Sequence, residues 1–72
     1  EGGITLTIVV NGNALEISET VKNVEELLEE LRLADKSLIV EHNQSILKKE
    51  EHVKAKITDG DRLEIVHFVG GG

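Results

Sequence analysis

Apolar and polar residues alternate from the first run of the chain. In Ile4-Thr5-Leu6-Thr7-Ile8-Val9-Val10, Ile4, Leu6, Ile8 and Val10 share one face. The run is rich in β-branched residues, which predicts a half-buried strand. Asn11-Gly12 follows, a pair that tolerates positive φ, so a tight hairpin is expected. Ala14-Leu15-Glu16-Ile17 is the return strand, with Leu15 and Ile17 facing inward. The period then changes. After the connection Ser18-Glu19-Thr20-Val21-Lys22, Asn23 is placed to cap a helix, with Glu26 three residues on. Val24, Leu27, Leu28 and Leu31 recur at i, i+3, i+4 and i+7, the apolar stripe of a helix from about Val24 to Arg32. Glu25, Glu26, Glu29, Glu30 and Arg32 take its wet face, and glutamates in the first turn suit the helix dipole.

Leu38-Ile39-Val40-Glu41-His42 reads as a third, mostly buried strand. Asn43-Gln44-Ser45 has turn chemistry, and Ile46-Leu47 follows as a short fourth strand. Lys48 to Lys56 is charged and irregular, with one helical turn around Glu50-His52 and with Val53 and Ile57 as anchors. Asp59-Gly60-Asp61 is a turn, and the last strand spans Arg62 to Val69. Leu63 and Ile65 should face the helix, leaving Arg62, Glu64, Val66 and Phe68 on the other face. The first and last strands are the most apolar, so they are expected side by side at the sheet centre. The helical leucines would pack on Ile4, Leu6, Ile8, Leu63 and Ile65. This order defines an α+β chain of the β-grasp, or ubiquitin-like, class: a mixed four- to five-stranded sheet with one main helix on one face. Residues 4–69 form the expected domain, residues 70–72 a flexible glycine tail, and residues 1–3 (Glu1-Gly2-Gly3) read as a tag remnant.

Composition narrows the chemistry. The 72 residues are near the lower limit for one unstapled core. There is no cysteine, hence neither a disulfide framework nor a thiolate metal site. A net charge of −6 repels phosphate backbones and argues against nucleic acid. It steers the chain instead toward a basic protein face. No apolar stretch approaches a membrane span, so a cytoplasmic monomer is expected. His42, His52 and His67 lack metal-ligand spacing. His67 is expected as a packed or capping residue on the core side. No nucleophile–base–orienter set can be assembled, so the chain is read as a non-enzyme that binds no cofactor itself.

The sequence closes on Val69-Gly70-Gly71-Gly72. A glycine run passes through a channel too narrow for any side chain and leaves the carboxylate of Gly72 sterically open. Next to it, Val66, Phe68 and Val69 form a candidate partner-binding patch, with Val9 and Val40 as supporting members.

In these features the chain resembles the ThiS-like sulfur-carrier branch of the ubiquitin-like proteins. The carrying residues are Asn11-Gly12, Val24-x-x-Leu27-Leu28, Ile39-Val40-Glu41-His42-Asn43, Asp59-Gly60-Asp61 and Glu64 to Gly72. The chain is similar also to MoaD, the molybdopterin-synthase small subunit, but lacks the proline that usually precedes that protein's glycine pair. The third glycine departs slightly from the commoner Ala-Gly-Gly or Val-Gly-Gly ending. The resemblance implies that the carboxylate of Gly72, behind Gly71 and Gly70, is adenylated with Mg-ATP by a ubiquitin-activating-type, ThiF-like adenylyltransferase. Sulfur from a cysteine desulfurase then gives a thiocarboxylate for a ThiG-like thiazole synthase in thiamine biosynthesis. Carriers for molybdopterin, cysteine or tRNA thiolation share this framework, as do ubiquitin-like protein modifiers, and a plain interaction module is a third possibility.

Overall fold

The computed structural model describes residues 3–34 and 37–67. The β-branched alternation forms β1 (Thr5–Val10), and β2 (Asn13–Ser18) returns antiparallel in register from Thr5↔Ser18 to Val10↔Asn13. Asn11 (φ 51°) and Gly12 (φ 84°) both lie in the left-handed region, as the two-residue turn that matches strand twist requires. β3 (Leu38–His42) and β4 (Ser45–Leu47) repeat the device with Asn43 (φ 49°) and Gln44 (φ 76°). Ser45, expected in the turn, opens β4 instead. β5 (Arg62–His67) pairs parallel with β1 and antiparallel with β3, giving the order β2-β1-β5-β3-β4. The first and last strands therefore lie adjacent at the centre, as their apolar content predicts. Val69, expected in the last strand, lies outside the described residues, as do Phe68 and the glycines Gly70, Gly71 and Gly72.

Helix α1 (Val24–Glu30) starts at Asn23, whose side-chain oxygen accepts the Glu26 N–H at 2.8 Å. The Glu26 carboxylate reaches back to the Lys22 N–H at 2.7 Å, so the first turn is tied from both sides. The helix stops two residues short of the expected Arg32. The Arg32 N–H bonds to the Glu29 carbonyl and the Leu33 N–H to the Leu28 carbonyl, with Arg32 at φ 62°. That is the Schellman ending, in which a left-handed residue closes the helix and the next hydrophobe packs back. Glycine usually holds this position, and arginine there works against its own Cβ. Arg32→Gly is expected to raise the unfolding free energy by about 0.5–1 kcal/mol, relief of the left-handed strain exceeding the extra freedom of the unfolded chain. A loss of stability in urea unfolding would show that the arginine stem contributes packing that outweighs its strain.

Ile8, Val24, Leu27, Val40 and Leu63 are fully buried, and Ile17, Val21, Leu28, Ile57 and Ile65 complete the core. Leu6, Val10, Leu31 and Leu33 pack around it. Ile4 does not join them. It precedes β1 and is exposed, because the core column of the hairpin ends at the Leu6↔Ile17 rung. Val53 is exposed too and anchors nothing. The single 3-10 turn Lys49–Glu51 is followed by a return in which Val24 N–H bonds to the Ala55 carbonyl and Ile57 N–H to the Lys22 carbonyl. Ala55 and Ile57 are thereby drawn to the start of α1, and Val53 is left outside. β3 is less buried than expected, since Val40 alone is fully enclosed. Among the described residues no helix is long and apolar enough to cross a membrane.

Candidate functional site

The strand that leads toward the terminal glycines is held from both sides. The β1–β5 ladder is short, with Val9↔Arg62 and Val10↔Leu63 in register. Asn11 extends it: its side-chain oxygen accepts the Ile65 N–H at 2.7 Å, and its amide donates to the Ile65 carbonyl at 3.2 Å. The side chain thus stands in for a peptide unit that the hairpin turn has taken away. Asn43, in the corresponding turn on the other side, accepts the Arg62 N–H at 2.9 Å, and its own backbone N–H donates to the Arg62 carbonyl at 2.8 Å. Two turn asparagines, chosen for positive φ, therefore also clamp β5 from both flanks. The loop before β5 is fixed to β1 as well, with the Thr7 N–H on the Asp59 carboxylate and the Gly60 N–H on the Thr7 carbonyl.

Asp61 is the hub of this end. It is 8% exposed, and its carboxylate accepts from His42 Nε2 at 2.7 Å, the Thr58 N–H and hydroxyl at 2.9 Å each, and Asn43 Nδ2 at 3.2 Å. Burial raises its pKa, but the bonds from His42, Thr58 and Asn43 outweigh that and hold it at about 2. An ionised carboxylate only accepts, so His42 Nε2 carries the proton of their bond. With each oxygen taking two donors, Asp61 is neither a base nor a nucleophile in waiting; it fixes the turn. Asp61 shows in the sequence only as part of the Asp59-Gly60-Asp61 turn; neither its role as a hub nor its partnership with His42 shows in the spacing.

A folded-state pKa near 2 against 3.8 unfolded means that this stabilisation is complete above about pH 4. It fades as pH falls from there through 2, a loss of about 2 kcal/mol. Asp61→Asn should be less stable than the parent at neutral pH and should lack this portion of the acid-induced loss. Equal slopes of stability against pH between 4 and 2 in the two proteins would contradict the assignment.

Of the expected patch, Val66 is described and is exposed on the face away from α1, sharing it with Arg62 and Glu64 as strand parity requires. Phe68 and Val69 lie outside the described residues. Val40 is not part of the patch. It pairs with Ile65 on the core face and is fully buried, whereas Ile39, one residue earlier, pairs with Val66 on the open face. Val9 is half-buried and pairs with Arg62. His67, expected to pack, is exposed; its parity is that of Leu63 and Ile65, but it lies at the strand end, opposite the half-buried Leu38, where the core has run out. Ile39, Glu41, Gln44, Arg62, Glu64 and Val66 line an open groove of about 460 Å³ on this face. Among the described residues no three His, Asp or Glu side chains converge to hold a metal ion.

Three comparisons bear on this architecture. The model of the ThiS family matches residues 8–72, through the terminal glycine. The sulfur carrier protein ThiS of Bacillus subtilis is 38% identical over 63 residues, covering 88% of this chain and 96% of that protein. A segment of the thiazole synthase of Paramagnetospirillum magneticum is 39% identical over 67 residues; it covers 93% of this chain and 20% of that protein. Among solved structures, that of the thiamine biosynthesis protein ThiS from Geobacter metallireducens matches with a TM-score of 0.78 at 33% identity, over 93% of this chain and 100% of that one. With its β-grasp sheet, the helix α1 and a family match that spans nearly the whole sequence, the chain belongs to the ThiS family.

Proposed function

We propose that this protein carries sulfur for thiazole formation in thiamine biosynthesis, on the carboxylate of Gly72. As a ThiS-family protein it is a carrier and not a catalyst. A carboxylate is a poor acyl donor because its leaving group would be oxide. Attack of a Gly72 oxygen on the α-phosphate of Mg-ATP, in a ThiF-like adenylyltransferase, releases pyrophosphate and gives an acyl-adenylate with AMP as the leaving group. The terminal sulfur of a cysteine-desulfurase-derived persulfide then attacks the acyl carbon and displaces AMP. A second thiol cleaves the S–S bond of the acyl disulfide and is itself oxidised to a disulfide, and the thiocarboxylate so released is consumed by a ThiG-like thiazole synthase. Mg-ATP belongs to the activating enzyme, not to this chain.

The family match that runs through Gly71 and Gly72 carries this reading. The clamped strand β5 supports it, because a stiff strand ahead of three glycines sets where the carboxylate is delivered. The ThiS-like stretch within a thiazole synthase supports that enzyme as the partner that takes the sulfur. The test is ATP–pyrophosphate exchange by a ThiF-like adenylyltransferase. Exchange that depends on added carrier is the expected result; exchange indifferent to it would sink the proposal.

A further inference from the structure

The open face of the sheet carries an arrangement that folding alone does not favour. Glu41 on β3 and Glu64 on β5 are directly opposite in register. Like charges so placed repel across about 5 Å and cost stability. Arg62 lines the same groove, yet the one ion pair among the described residues is His42–Asp61, so no basic side chain among the described residues lies within 4 Å of either glutamate. Around this acidic rung lie three exposed large hydrophobes. Ile39 (40% exposed) and Val66 (55%) form the next rung toward the strand end, and Ile46 (67%) is the β4 neighbour of Glu41. The face is therefore zoned along β5: apolar at Val66, acidic at Glu64, basic at Arg62.

We infer that this groove seats a basic–apolar surface of the activating enzyme, with one arginine or lysine held between Glu41 and Glu64 and an apolar side chain on Ile39, Val66 and Ile46. The inference rests on the carrier reading above and names the chemistry of the partner at the docking face. Two residues along a strand span about 7 Å, so the cation sits about that far behind the apolar anchor, measured from the end of β5. Charge complementarity selects this occupant: a second copy of the chain would bring carboxylates against carboxylates, whereas a cation removes the repulsion and is desolvated against the flanking hydrophobes. Arg62 at the far end repels a cation placed one rung too deep and so fixes the register of docking.

The experiment uses the full chain with Glu41→Gln and Glu64→Gln together, a ThiF-like adenylyltransferase, and ATP–pyrophosphate exchange as a function of carrier concentration. The carrier KM should rise about tenfold or more with kcat nearly unchanged, since docking is lost but the tail is intact. The melting temperature of the free variant should rise by about 1–4 °C as the like-charge pair is relieved. Weaker docking together with higher stability is a signature that a merely structural role cannot give. An unchanged KM, or a fall in melting temperature, overturns the inference while leaving the carrier reading intact. Absence of exchange with the parent chain overturns the carrier reading itself.

Discussion

Truncating Leu27 to alanine is expected to lower the unfolding free energy by about 2–5 kcal/mol, lost transfer energy and the residual cavity acting together. Leu27 is fully buried on the inner face of α1, in the same core cluster as Ile8, Val40 and Leu63 of the sheet. A 72-residue domain has roughly 4–11 kcal/mol in total, so the variant should lose a large share of its stability. Its neighbour Glu29, on the exposed side of the same helix, should tolerate alanine within about 0.5 kcal/mol. The pair is read by urea unfolding monitored by circular dichroism. Similar costs at the two positions would mean that the helix does not present its leucine stripe to the sheet.

The second large effect concerns chemistry and leaves the fold alone. Gly71→Val is expected to lower carrier-dependent ATP–pyrophosphate exchange by about 100-fold or more, since a branched side chain cannot follow a bare backbone into a narrow channel and small misplacements of the reacting atom are costly. Deleting Gly72 should do likewise, because it withdraws the carboxylate by about 3 Å. Neither change removes a side chain from the core, whose last member among the described residues is Ile65, so the unfolding midpoint should stay within error of the parent. Exchange at the parent rate in both variants would remove the tail from the mechanism, and the chain would then be a β-grasp interaction module.

The architecture was largely legible because its signals are periodic. Alternation in β1 and β5 and the leucine stripe of α1 each report a face, and Asn11-Gly12 reports a turn; the central pairing of β1 with β5 followed from which strands are most apolar. What stayed hidden belongs to positions where a side chain replaces backbone. Asn11 and Asn43 look like turn residues and nothing more, yet their amides complete the ladders of β5. Asp61 looks like half of a solvated Asp-Gly-Asp turn, yet four donors from residues 3 to 19 positions away converge on it. Val40, expected on the open face, lies in the core because a short apolar run does not announce its parity; only the register with β5 assigns it. Arg32 was absorbed into the helix for a related reason. A left-handed cap made by arginine instead of glycine carries no sequence mark.

For the docking face, sequence parity correctly exposed Val66, and it could not pair Glu41 with Glu64 or bring Ile46 beside them. Those neighbours come from three different strands and meet only when β3, β4 and β5 are in register.

The most direct test of the carrier assignment is the intact mass of the protein after incubation with a ThiF-like adenylyltransferase, Mg-ATP, a cysteine desulfurase and cysteine. The account predicts a species heavier by the exchange of one oxygen for one sulfur, with fragmentation placing the change on Gly72. A ladder of conjugates to lysines of other proteins, or a mass that never shifts while the same enzymes thiolate an authentic ThiS, would contradict it.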